Sequence, residues 1–141
     1  MSAIEVEIRR KVIQWLNYAD EDIQLARHAL TLSTGAPYRL VAYHAQQCAE
    51  KSLKAYLVCH SIDFPYTHNI SRLLELCSET AQWDDSLLDA EELSVYAVTT
   101  RYPGEEEEVT KGEALRAIEL AALVRETVGR ALGSEIGKAG K

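Results

Sequence analysis

Seven apolar residues near the start of the chain, Ile8, Val12, Trp15, Ala19, Ile23, Ala26 and Leu30, recur at steps of three or four. That spacing places them on one side of an α-helix and does not suit a strand, whose faces alternate at every second residue. Charged residues such as Glu7, Arg10, Glu21 and Arg27 occupy the other sides. The spacing predicts a helix from Ile4 to about Leu32, with Gly35 as its stop. Only 7 Gly and 3 Pro occur in 141 residues, so the later segments are also expected to be long and uninterrupted.

Pro37 suits the first turn of a second helix reaching Cys59 or His60, with Val41, Ala45, Cys48, Ser52 and Tyr56 toward the core and Ala49 at its border. Ser61 to Tyr66 reads as a loop stopped by Pro65. Thr67 is the expected cap of a short helix carrying Ile70, Leu73, Leu74 and Cys77. Asp84 or Asp85 caps a fourth helix with Leu87, Leu88, Leu93, Tyr96 and Ala97. It ends near Arg101-Tyr102, because Pro103 disfavours helical geometry at the residue before it. Thr110 and Glu113 form a capping box for a last helix, lined by Ala114, Ala117, Ala121, Val124 and Val128 and ended by Gly133. The expected architecture is all-α, an up-and-down bundle of four main helices plus one short helix. Residues 1–133 are expected to form a single domain and 134–141 a disordered C-terminal tail. Thin alanine-rich stripes on the first and last helices leave room for a homodimer.

Composition then narrows the function classes. A net charge of -7 argues against a general DNA binder, while a local basic cleft on an acidic body stays open. Cys48, Cys59 and Cys77 are odd in number and contain no C-x-x-C pair, so neither a disulfide framework nor a metal site is expected. Met1-Ser2-Ala3-Ile4-Glu5 lacks a signal-peptide core, and no run of about 18 apolar residues is present. A cytoplasmic protein with no membrane contact and no cofactor is the expectation.

Chemistry concentrates between His44 and Ala55. At about 100° per residue, His44, Gln47, Lys51 and Lys54 share one stripe roughly 80° wide. One imidazole, one amide and two ammonium groups without a carboxylate suit phosphate oxygens. The bland alternative is a surface stripe paired with acids of a neighbouring helix. Glu50, at its edge, reads foremost as the helix partner of Lys54 four residues on. His68 stands at the start of the short helix, either as a proton carrier for the same cleft or as surface decoration. Arg101 and Tyr102 end the fourth helix, where an arginine either complements the helix dipole or forks onto a phosphate. Glu105 to Glu108 read as a solvated loop, and Arg39 and His44 have an Arg-x4-His spacing.

Four segments in series resemble the HEPN family (higher eukaryotes and prokaryotes nucleotide-binding): Tyr18-Ala19-Asp20-Glu21-Asp22-Ile23 followed by Ala26; His44-Ala45-Gln46-Gln47 with Glu50-Lys51-x-Leu53-Lys54-Ala55; Thr67-His68-Asn69-Ile70; and Thr100-Arg101-Tyr102-Pro103. The resemblance implies a helical bundle paired as a dimer. It implies a nucleotide- or phosphate-binding module, one component of a toxin–antitoxin or defence system with a minimal nucleotidyltransferase partner. The implied ligand residues are His44, Gln47, Lys51, Lys54, His68, Arg101 and Tyr102. Other family members are metal-independent endoribonucleases with an Arg-x4–6-His motif. Counting from Arg101, the histidine positions hold Glu106, Glu107 and Glu108, and adjacent carboxylates repel RNA. The standard nuclease site is therefore absent there, which points away from an enzyme and leaves Arg101, His44 and His68 as catalytic candidates. A purely structural dimerisation or partner-binding protein is the remaining alternative.

Overall fold

The computed structural model describes residues 1–97 and 108–139, the last six as backbone. The Thr100-Arg101-Tyr102-Pro103 segment and Glu105 to Glu107 lie outside the described residues. The described residues hold four α-helices and one 3-10 helix, with no strand. They are α1 (Ala3–Ala29), α2 (Tyr38–Cys59), α3 (Ile70–Cys77), the 3-10 helix (Asp85–Tyr96) and α4 (Lys111–Ala139). No helix among them is long and apolar enough to cross a membrane.

The apolar stripe of α1 faces inward as its spacing requires, with Val12, Ala19, Ile23 and Ala26 buried. Ser2 caps the helix, its side chain accepting from the Glu5 amide while Glu5 returns a bond to the Ser2 amide. After α1 the chain turns at Gly35, whose φ of +68° lies in the left-handed region that glycine adopts without a Cβ clash.

Helix α2 is the centre of the bundle and packs against every other helix. From Ala45 to Leu57 only Lys51 is not buried. The expected core residues Val41, Ala45, Cys48, Ala49, Ser52 and Tyr56 are all inside. On its other flank, α4 presents Ala114, Ala117, Ala121, Val124 and Val128, all buried, and the small side chains allow close approach of the two helices. Cys48 and Cys77 are enclosed, and burial pushes both thiols up to about 12, so they act as small hydrophobes.

Three boundaries differ from the sequence-based expectation. Asn69, not Thr67, caps α3 by accepting from the Arg72 amide, and Thr67 instead accepts from the Asn69 amide. Gly133 does not end α4: it is not in the left-handed conformation of a C-terminal stop, and the helical backbone continues to Ala139 through residues 134–139. The segment expected to be a fourth α-helix is a 3-10 helix over Asp85–Tyr96, capped by Asp84. Its buried residues are Leu87, Ala90 and Leu93, a spacing of three. At three residues per turn these line up on one edge, whereas in an α-helix each would drift about 60° from the last. The same geometry leaves Leu88 exposed, contrary to the expected core position.

Candidate functional site

The stripe expected from His44, Gln47, Lys51 and Lys54 is backed by two buried carboxylates. Asp22 comes from α1 and is 9% exposed. His44 Nδ1 donates to its Oδ1 at 2.8 Å, and Lys51 Nζ donates to its Oδ2 at 2.6 Å. An ionised carboxylate only accepts, which sets the proton on Nδ1 of His44 and leaves Nε2 as the other ring nitrogen.

Glu50, on α2 itself, repeats the arrangement with Lys54 and His68. Its Oε2 accepts from Lys54 Nζ at 2.9 Å, and its Oε1 accepts from His68 Nδ1 at 2.8 Å and Gln46 Nε2 at 3.0 Å. Gln46 also donates to the His68 carbonyl at 3.0 Å and accepts from Gln47 Nε2 at 2.7 Å. Burial pushes the Glu50 carboxyl up, but the bonds from Lys54, Gln46 and His68 outweigh it and hold it below its ordinary value of 4.5. Glu50 therefore stays charged inside the protein.

The Lys54 ammonium lies within 5.7 Å of the Trp15 ring centroid, 5.8 Å of Phe64 and 5.9 Å of Tyr66. Helix α1 and the 60–69 loop thus close an aromatic box around a cation that Glu50 neutralises. The bonds of His68 and Gln46 tie the same loop to α2.

The expected ligand residues accordingly separate into two groups. His44, Lys51 and His68 are partly open, with side-chain exposures of 27%, 24% and 45%. Gln47 and Lys54 are buried, because the amide and the ammonium are spent on Gln46 and Glu50. Arg101 and Tyr102 lie outside the described residues. Two carboxylates face two ammonium groups, so the formal charges of these four groups balance. Arg39 and His44 do not form one site: five residues apart on a helix, they point about 140° apart. Arg39 instead lines a pocket of about 290 Å³ with Pro37, Tyr38, Leu40 and Val109. Among the described residues, no group of three His, Cys, Asp or Glu side chains is placed to hold a metal ion.

Sequence reasoning missed Asp22 and Gln46 as members of the site. A signal for Asp22 was present, since it sits seven residues after Trp15 and beside Ile23, on the apolar face of its helix. A carboxylate there requires a partner on the neighbouring element. Gln46 is completely buried and carried no such mark in a segment already rich in polar residues.

The family model for the HEPN domain matches residues 12–131. Two solved structures share the fold. The crystal structure of TT1696 from Thermus thermophilus is 27% identical, with a TM-score of 0.74 over 85% of this chain and 97% of that one. ST0689, described as an archaeal HEPN homologue, is 26% identical, with a TM-score of 0.68 over 86% of this chain and 97% of that one. No curated protein matches the chain.

Proposed function

The chain belongs to the HEPN domain family, and from that premise we propose that the open edge of the network, His44, Lys51 and His68, binds the phosphate groups of a nucleotide or short RNA. The observation that carries this reading is the pair of imidazoles held through Nδ1 by buried carboxylates. Each ring is oriented before any ligand arrives, so little side-chain freedom is lost on binding. Lys51, held by the same carboxylate as His44, supplies the ammonium. Gln47 and Lys54 act from inside, by keeping Gln46 and Glu50 in place. Arg101 and Tyr102 complete the proposed set.

Isothermal titration with AMP and with a short single-stranded RNA tests the reading. Lys51→Ala and His68→Ala should each weaken binding by about tenfold while the chain stays folded, because Asp22 keeps His44 and Glu50 keeps Lys54 and Gln46. Wild-type affinity in both variants would remove the site.

A second reading is favoured by the same His–carboxylate pairs, which are suited to proton transfer in metal-independent RNA cleavage. RNA incubated with the protein in EDTA should then be cut by the wild type and spared by His44→Ala or His68→Ala. Equal cutting by both variants and by Arg101→Ala rules out these groups.

The proposed setting is a two-component system with a nucleotidyltransferase, and co-elution of the two purified proteins checks it. A homodimer fits the exposed apolar residues Ile4, Tyr18 and Leu25, which recur on one side of α1 at multiples of seven. Light scattering should give twice the chain mass, and Leu25→Glu should halve it.

A further inference from the structure

Among the exposed large apolar side chains described, Tyr66 is the most open, at 90%. The hydrophobic effect favours covering such a ring, yet this one is held at the surface. The Lys54 ammonium lies 5.9 Å from its centroid, and the His68 ring meets it edge to face at 5.4 Å and 74°. The other two rings of the aromatic box, Trp15 and Phe64, are partly buried against the core. Pro65 restricts the backbone between Phe64 and Tyr66. The result is a fixed aromatic surface facing solvent directly beside the half-open imidazole of His68.

We propose that Tyr66 is a stacking platform for a nucleobase, so that the ligand is a free nucleotide or a single-stranded RNA rather than a duplex. The proposal rests on the phosphate-binding reading of the same face and adds the class of ligand. A flat π-surface beside the oriented His68 ring, on the face that carries the Lys51 ammonium, matches a molecule that carries a flat ring and an anion a few ångströms apart. From Lys54 back to His44, α2 covers about 15 Å, room for a short run of sugar–phosphate units. A duplex hides its base faces in its own stack and cannot use the ring. Because Tyr66 is nearly fully exposed, it can be removed with little effect on the core.

The test uses the full chain and three probes: ribose 5-phosphate, AMP and a fluorescein-labelled hexa-adenylate RNA. Wild type should bind AMP more tightly than ribose 5-phosphate. Tyr66→Ala should weaken hexa-adenylate binding by about 5- to 150-fold, the equivalent of one stacked base, and leave ribose 5-phosphate unchanged. Tyr66→Phe should bind as wild type, because stacking needs the ring and not the hydroxyl. AMP and hexa-adenylate binding unaffected in Tyr66→Ala but weakened in Lys51→Ala would overturn the platform and leave the phosphate site standing. No binding of any probe by the wild type would overturn both.

Discussion

Two seams hold α1 to its neighbours, and each uses a carboxylate from the same turn. Asp20 reaches α4, where Arg125 donates to its two oxygens at 2.7 and 3.1 Å, and the Asp20 side chain is 51% exposed. Asp22 reaches α2 and is buried, as is Glu50 in the adjoining half of that network. The Arg125 fork has good bidentate geometry, yet water can replace much of what it offers. The Asp22 and Glu50 groups have no such substitute, so a missing partner leaves charge stranded in a low-dielectric interior. Burial, more than bond length, decides which contact is structurally indispensable.

Glu50→Ala should separate the two seams most sharply. It strands the Lys54 ammonium and should destabilise the fold by about 3–5 kcal/mol, read from urea denaturation. Adding Lys54→Met to a Glu50→Leu protein should recover most of that loss, because no unpaired charge remains. Asp22→Ala should cost less, about 1–3 kcal/mol. Its two partners, His44 and Lys51, are each about one quarter exposed and regain some hydration.

Acid should expose the same difference in the wild type. Since Glu50 is held below its ordinary value of 4.5 in the folded state, its stabilising contribution is complete above that pH. The contribution is lost as pH falls through the lower folded value. The urea midpoint of the wild type should therefore drop more steeply below pH 4.5 than that of Glu50→Gln. Parallel curves would show that the carboxylate gains nothing from its partners. The smallest effect belongs to Asp20→Ala, at about 1 kcal/mol or less, shrinking further in 1 M salt. A loss as large as that of Asp22→Ala would break the comparison.

The apolar faces of α1, α2, α3 and α4 were legible because each depends on a local repeat. Ala114, Ala117, Ala121, Val124 and Val128 name their own buried side through spacing alone. The Thr110–Glu113 capping box of α4 follows from the same local logic, as does the left-handed Gly35. The region from Asp85 to Tyr96 was not legible in this way. Leu87, Ala90, Leu93 and Ala97 step by three or four, which an α-helical stripe also allows, and packing against α2, α3 and α4 selects the tighter 3-10 form, which buries Leu87, Ala90 and Leu93.

The candidate site shows the same division. The sequence by itself determined that His44, Gln47, Lys51 and Lys54 share one side of a helix, because angles along a helix depend only on residue number. Tertiary structure decided which of them meet solvent. Asp22 lies 22 residues from His44 and 29 from Lys51, and His68 lies 18 from Glu50. Those charge pairs exist only once α1 and the 60–69 loop have folded onto α2. Coulomb attraction and desolvation depend on distance through space and on burial, and neither quantity is written in the order of the residues.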